Sequence, residues 1–399
     1  LPHWRNKYSI QNTYEGNRMT VKIYTGDCFE VLDKLEDDSI DCCVTSPSYW
    51  GLRDYGTATW VGGDPNCSHK RDSKFSENTS TGQKNLEGAI GDGIYKTVCK
   101  RCGAVREDKQ IGLEEHPFEY VKKMGDVFDK VKRVLKPEGT LWLNLGDSYI
   151  GGGRGWEYCK DGTVQQQRVD AGVRYGNPTG KIDGFKAKDK AGIPHRVAFE
   201  LQDRGWWYRS EIIWAKNNPT PESVTDRPTT AHEQVFLMSK SKKYYYDQDS
   251  IREPHTWQES KPKPTEEKRD GKKYKDKSDY AGGGTGLLGH SGTNKADGTP
   301  INHPLGKNKR TVWNVNPRPF PESHFAVFPP ELIKPMILAG CPEGGTVLDP
   351  FGGAGTTGLV ANQLDRNAVL IELNPDYVDI IEKRLGNDAP LFSDIQINK

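Results

Sequence analysis

The sequence predicts an α/β protein built on a doubly wound, mostly parallel sheet. Two observations carry that expectation. Short apolar runs suited to buried strands alternate with segments of helical period. A glycine-rich turn, "TVLDPFGGAGTTG" at 346–358, sits between such a run and a helical segment, as ligand-binding turns of doubly wound sheets do.

The elements follow in order. "MTVKIYTGDCFEVLDKL", from Met19, reads as a strand, a turn at Gly26-Asp27 and a helix. "SIDCCVTSP" is a compact buried strand that runs into the loop "TSPSYW" at 45–50. Residues 56–112 are polar and irregular and read as an insertion. In the next helix Phe118, Val121, Met124, Phe128, Val131 and Leu135 recur at helical spacing, before a Pro-Gly stop and the strand "TLWLNLGDSY". A Gly-rich loop is expected over 151–192, then the helix "IPHRVAFELQDRG", the strand "WWYRSEIIWAK" and a strand hairpin in "EQVFLMSKSKKYYYD". Residues 252–311 carry charge, Gly and Pro with almost no apolar period. From Pro329 the order is helix, strand, glycine turn, helix, a strand ending in Glu372, and a last helix.

The bulk numbers bound the function. With 399 residues the chain suits one large domain with insertions, or two domains. Hydrophobic residues are only 34 %, and Gly (43) and Pro (25) are plentiful, so long polar loops should surround the core. The net charge of +1 gives no global basic field, so a nucleic-acid partner must be held by a local patch. No apolar run approaches the roughly 20 residues of a membrane span, no secretory signal is visible, and no membrane partner is expected. Residues 1–18, ahead of Met19, read as tag or upstream sequence. Eight cysteines, three of them close to a histidine, fit a reducing compartment better than a disulfide framework.

Gly353, Gly355 and Gly358 satisfy G-x-G-x-x-G, and Glu372 ends the next strand, where a carboxylate can accept both ribose hydroxyls. The pattern fits a nucleoside-containing cofactor. A ligand-free tight turn and a nicotinamide dinucleotide are the alternatives. Against the dinucleotide, too little chain follows for two mononucleotide halves, and Asp349 would repel a pyrophosphate where a sulfonium would tolerate it. Cys67 and His69, with Cys99 and Cys102, form two close pairs separated by a long loop, a spacing that suits a structural zinc ion.

"TSPSYW" resembles the catalytic loop of amino-group DNA methyltransferases, and "LDPFGGAGTT" resembles their S-adenosylmethionine loop. With the catalytic loop first and the cofactor loop last, the chain is similar to the circularly permuted group called beta, over most of residues 20–386. The resemblance implies a seven-stranded-type methyltransferase sheet. Its catalytic domain would take 19–55, 113–250 and 312–399, with a zinc-knot insertion at 56–112 and a target-recognition insertion at 251–311. It implies methyl transfer from S-adenosylmethionine to an exocyclic amine of a base flipped out of double-stranded DNA. Ser46, Pro47, Ser48 and Tyr49 would carry catalysis, with Ser46 pointing to cytosine N4; adenine N6 is the alternative within the family. Asp27, Asp349, Phe351, Gly353, Gly355, Thr356 and Glu372 would hold the cofactor.

Ser48 replaces the family's usual second proline, which should loosen the loop and motivates the further alternative of a catalytically weakened DNA-binding protein. A C5-cytosine mechanism needs a nucleophilic thiolate, normally in a Pro-Cys pair, which the sequence lacks; Cys42 and Cys43 read as core. Residues 261–277, with eight Lys/Arg against four acids and Trp257, Tyr274 and Tyr280 nearby, are the first candidate DNA contact. Arg154, Arg168 and Arg174 are the second. The resemblance also implies a restriction-modification role, with a cognate endonuclease as a candidate partner and the nucleoid of a prokaryotic or phage-infected cytoplasm as the expected place.

Overall fold

In the computed structural model, residues 19–51, 55–69, 97–150, 182–255, 303–318, 327–388 and 393–398 are described. Strands β1 (Met19–Thr25), β2 (Ile40–Thr45), β5 (Leu135–Leu145), β6 (Trp207–Ala215), β7 (His232–Ser239), β8 (Val312–Asn314), β9 (Thr346–Asp349), β10 (Asn367–Glu372) and β11 (Ser393–Asn398) form one sheet. Their order is β11-β1-β10-β9-β2-β5-β7-β6-β8. From β11 to β5 all neighbours are parallel; β7 runs antiparallel to β5 and β6. A separate two-stranded ribbon pairs β3 (Thr59–Val61) with β4 (Val105–Glu107).

The helices are α1 (Cys28–Leu32), α2 (Pro117–Val134), α3 (Ile193–Asp203), α4 (Pro330–Gly340), α5 (Thr356–Gln363) and α6 (Pro375–Asp388). In α2, Tyr120, Val121, Met124, Val127, Phe128, Val131 and Val134 are buried together with Leu141, Leu143 and Phe236 of the sheet. Fully burying each such aliphatic or aromatic side chain contributes about 1.5–3 kcal/mol. Among the described residues no helix is long and apolar enough to cross a membrane.

Several expectations need adjustment. Phe118 lies outside the buried stripe: in the first turn of α2 it is 48 % exposed and packs on Phe185 and the Arg196 guanidinium. The Pro-Gly stop falls inside β5, where the six residues from Leu135 to Thr140 face the three from Ile40 to Cys42 of β2, so the turn chemistry makes a bulge after the helix has already ended. "EQVFLMSKSKKYYYD" is one strand, β7, followed by a turn; its hairpin partner is β6 upstream. The sheet has nine described strands, two more than the seven-stranded type, because β8 and β11 extend its two edges.

Residues Asp247–Arg310 pack as a unit of their own. Its described part holds a single 3-10 turn, Asp249–Ile251, and a bridge between Glu253 and Lys307; Arg252 bonds Asp249, Asn308 and the Gly306 carbonyl. Residues 1–18, the basic run 261–277 and its aromatics, and Arg154, Arg168 and Arg174 lie outside the described residues.

Candidate active site

Parallel pairing of β2 with β9 (Cys42 beside Val347, Cys43 beside Leu348) brings the loop after β2 and the glycine turn after β9 to one sheet edge. Asp349 ties them. Its Oδ1 accepts the Thr45 hydroxyl (2.6 Å) and the Phe351 N–H (3.1 Å), and its Oδ2 accepts the Thr357 hydroxyl (2.6 Å). The carboxyl is 1 % exposed, and burial pushes its pKa up to about 6 against the pull of those three donors. Asp349 is therefore a brace between the two loops.

The glycine turn owes its shape to steric demands. Gly353 and Gly355 have φ of 53° and 75°, in the left-handed region where a Cβ is costly. At Gly358 an added Cβ would stand 2.8 Å from Leu370 Cδ1, so glycine there permits α5 to lie directly on β10. Thr356 is buried, and its hydroxyl accepts from the Arg384 guanidinium of α6 (2.9 Å). Phe351 is half-buried and packs against the core cluster.

Two carboxylates flank this turn at the ends of neighbouring parallel strands. Glu372 closes β10, pairs in register with Thr25 and accepts Gly353 N–H (2.7 Å) and Asn374 N–H (2.8 Å). Burial pushes it up to about 7, assisted by the charge of Asp349 and opposed by those N–H groups. Asp27, just beyond β1, accepts the N–H groups of Phe29 and Glu30 and caps α1. Asn374 caps α6 through the Asp376 N–H and reaches the Tyr55 carbonyl (3.4 Å), a contact across 319 positions of sequence.

The first loop is held from several sides. Pro47 is buried; the Tyr120 hydroxyl donates to the Ser48 carbonyl (2.9 Å), so the position lacking the second proline is anchored by a buried phenol. Trp50 is fully buried, its indole N–H donating to the Glu114 carbonyl and its own carbonyl accepting from Ser148. The Tyr49 ring lies so close to Gly146, at the end of β5, that an added Cβ there would stand 2.5 Å from its Cε2. Ser46 Oγ is 3.3 Å from both Tyr49 Oη and Asn144 Oδ1. Tyr49 donates to Glu233 Oε2 (2.7 Å); Asn144 Nδ2 donates to the Gln234 carbonyl (3.1 Å) and Glu233 Oε2 (3.3 Å); Lys216 pairs with Glu233 Oε1. Tyr49 Oη stands 2.7 Å from Glu233 Oε2 and 3.1 Å from Asn144 Oδ1; with its one proton on the nearer, charged acceptor, Ser46's proton is left for Tyr49 or Asn144. The lone pairs of Ser46 Oγ are thereby left to accept hydrogen from a ligand. Burial and the Glu233 charge raise the Tyr49 pKa and keep the phenol protonated.

Asn144 and Glu233 were not singled out from the sequence. A lone Asn inside the apolar run "LWLNL" was the available signal for the first. Cys42 and Cys43 are fully buried, and burial raises both thiols, Cys42 to about 12, so neither supplies a thiolate.

Away from this edge, the ligand atoms of Cys67, His69, Cys99 and Cys102 all lie within 4.8 Å of one another. Cys67 Sγ and Cys99 Sγ are 3.8 Å apart, and Cys102 Sγ is 3.5 Å from His69 Nδ1. A tetrahedral zinc with Zn–S near 2.3 Å requires donor separations of about 3.8 Å. Gly103 N–H closes the knuckle onto the Cys99 carbonyl, and the His69 ring stacks on Trp60 at 4.2 Å. The backbone N–H of Ala104, then that of Asp64, draw the Cys102 thiol down to about 6, favouring the thiolate that binds metal.

An open parallel sheet with a glycine turn, a carboxylate at the next strand end and a second braced loop beside it defines a ligand crevice of the doubly wound α/β class. The family model described as DNA methylase, for N6 and N4 methylases, matches residues 40–383, and the chain belongs to that family. It is 39 % identical over 371 residues to the Type II methyltransferase M.SmaI of Serratia marcescens, covering 93 % of this chain and 92 % of that one. To M.Cfr9I of Citrobacter freundii it is 38 % identical, covering 92 % and 88 %. Among solved structures, the cytosine-N4-specific PvuII DNA methyltransferase aligns with a TM-score of 0.48 and 16 % identity, covering 96 % of this chain and 98 % of that one.

Proposed function

We propose that this protein is a site-specific DNA methyltransferase that moves a methyl group from S-adenosylmethionine to cytosine N4 in a base flipped out of the duplex. The observation that carries the reading is the Asp349 brace, which fixes the Ser46 loop and the glycine turn side by side at one sheet edge. The chain order, with the Ser46 loop ahead of the glycine turn, supports the permuted beta arrangement, with 56–112 and 251–311 inserted.

The donor set suits this cofactor. Glu372 faces the turn with carboxylate oxygens able to accept ribose hydroxyls, Asp27 lies at the neighbouring strand end for the adenine amine, and Phe351 offers a ring face. Three acids around the turn, Asp27, Asp349 and Glu372, would repel the pyrophosphate of a nicotinamide dinucleotide. When bound, S-adenosylmethionine supplies an electrophilic methyl on a sulfonium. Gly353, Gly355 and Thr356 shape the turn that admits it.

The chemistry at the base falls to the first loop. An exocyclic amine is a poor nucleophile because its lone pair is delocalised into the ring. Ser46 Oγ, with its lone pairs turned outward, and the Pro47 carbonyl accept the two amine hydrogens and draw the nitrogen toward tetrahedral geometry. Because Tyr120, Trp50 and Asp349 already hold the loop, little ordering remains to be done when the base arrives. Tyr49, backed by Gly146, presents a fixed ring for stacking. Ser46 in the first loop position favours cytosine N4 by family resemblance.

A structural zinc at Cys67, His69, Cys99 and Cys102 completes the reading, since four closed ligands leave no open position for catalysis. As a modification enzyme the protein would work beside a cognate endonuclease in the cytoplasm of a prokaryotic or phage-infected cell, at the nucleoid. The test is methylation of DNA with labelled cofactor by the parent protein and Ser46→Ala, followed by digestion to nucleosides and mass analysis. N4-methylcytosine from the parent and a large loss in the variant are expected. N6-methyladenine alone would overturn the base assignment, and no transfer by the parent would favour DNA binding without catalysis.

A further inference from the structure

We infer that Glu233 is the terminal proton acceptor of methyl transfer, reached through Tyr49 and Ser46. The inference rests on the methyltransferase reading above and extends it to a residue outside both sequence motifs.

The reaction creates a proton that has to leave. As the N–C bond forms, the C–S bond breaks and its electron pair stays on sulfur, so the positive charge passes to the amine nitrogen. That nitrogen loses a proton in the same transition state, so the rate of methyl transfer reports on the acceptor. Ser46 Oγ receives that proton while passing its own proton to Tyr49 Oη, 3.3 Å away, and Tyr49 passes its proton to Glu233 Oε2, 2.7 Å away. At the end the sulfonium has become a thioether, Glu233 has become a neutral acid, and both hydroxyls are restored. One positive and one negative charge have been cancelled inside a partly buried site, where separated charges are costly.

The surroundings support this direction. Asn144 Oδ1 holds the Ser46 hydroxyl but cannot forward a proton, whereas Tyr49 both accepts and donates. Lys216 pairs with Glu233 Oε1 and leaves Oε2 to Tyr49 and Asn144, which keeps the accepting oxygen aimed at the phenol. Glu233 is 17 % exposed at its side chain, so the acquired proton has a route to water after the step. The long Ser46–Tyr49 contact is of the kind that tightens when a base enters. Antiparallel pairing of β7 with β5, with Gln234 beside Leu145, places Glu233 at the sheet edge where the first loop ends.

Glu233→Gln keeps an oxygen to accept from Tyr49 but cannot take up the proton, so it separates holding from proton transfer. Single-turnover methyl transfer from labelled S-adenosylmethionine to duplex DNA is the assay, with binding of DNA and S-adenosylhomocysteine measured beside it. E233Q and Tyr49→Phe should each slow the step about 100-fold or more, and the double variant no further, with dissociation constants within about threefold of the parent. The parent's single-turnover rate should show a normal solvent deuterium effect with a curved proton inventory, a readout that does not depend on any variant folding. A parent-like rate in E233Q, additive losses in the double variant, a loss confined to binding, or no solvent isotope effect in the parent overturns the relay and leaves the methyltransferase reading intact. No transfer by the parent overturns both.

Discussion

The hydroxyl of Thr45 and the carboxylate of Asp349 meet at 2.6 Å across 304 positions of sequence. One residue ends the strand that launches the Ser46 loop, and the other ends the strand that launches the glycine turn. A buried carboxylate with three donors thus joins the two parts of the crevice in place of apolar packing alone.

Thr45→Val nearly conserves volume and removes one of those donors. A hydrogen bond to a buried, partly charged acceptor contributes about 1.5–3 kcal/mol. Urea unfolding should show a loss of that size, and S-adenosylhomocysteine should protect the variant less than the parent, because the turn is no longer braced. An unchanged midpoint would mean that the Thr357 and Phe351 donors suffice.

Gly358→Ala tests close packing. Its Cβ would lie 2.8 Å from Leu370 Cδ1 and 3.3 Å from Val21 Cγ1, both on neighbouring strands of the core. Overpacking of this kind costs about 1–3 kcal/mol. A lower melting temperature is expected, along with weaker cofactor binding as α5 is pushed off β10.

Glu372 should make stability fall with rising pH. Burial lifts its pKa from 4.5 to about 7, and lifts that of Asp349 from 3.8 to about 6. Between about pH 4 and 7 the folded protein keeps protons that the unfolded chain has released. Stability from these groups is therefore complete below pH 4, declines through that window and levels off above pH 7, by about 3 kcal/mol for each group. Denaturant melts between pH 5 and 8 should show the slope. Glu372→Gln should remove roughly half of it, leaving the Asp349 contribution, even though the lost acceptor lowers the baseline; a slope unchanged in that variant would assign the effect elsewhere.

The two loops were legible in the sequence because each is local: a strand, a few residues of special geometry, then a loop or helix. Gly353 and Gly355 announce left-handed backbone, and Ser46-Pro47 announces a fixed loop. Cys67, His69, Cys99 and Cys102 were legible by spacing, and the structure gathers their four ligand atoms. Glu233 was not, because its meaning depends on β7 pairing beside β5, which sets it 184 positions from Tyr49 and in contact with it. No residue near Glu233 in sequence signals that register. The sequence places Asp349 at the glycine turn, but its hydroxyl partners are set by the fold: Thr357 lies within the turn and Thr45 comes from the other loop.

The zinc reading makes a prediction that reaches the catalytic loop. The ribbon of β3 and β4 is small and largely exposed, and its returning arm is tied to the segment that follows the catalytic loop: Gly51 N–H bonds the Gly112 carbonyl (2.8 Å) and Tyr55 N–H bonds Gln110 Oε1 (2.7 Å). Metal ligation supplies folding energy that such a segment lacks. Purified protein should hold zinc at one equivalent per chain. Chelation, or Cys99→Ser at a buried ligand position, should open new protease cuts between residues 55 and 112 at temperatures where the main sheet still resists. Methyl transfer should fall in the same preparations, since the returning arm steadies the segment next to Ser46 and Tyr49. Identical digestion patterns with and without metal, or less than half an equivalent of zinc in active protein, would remove the ion from the site and leave the four side chains as an unoccupied cluster.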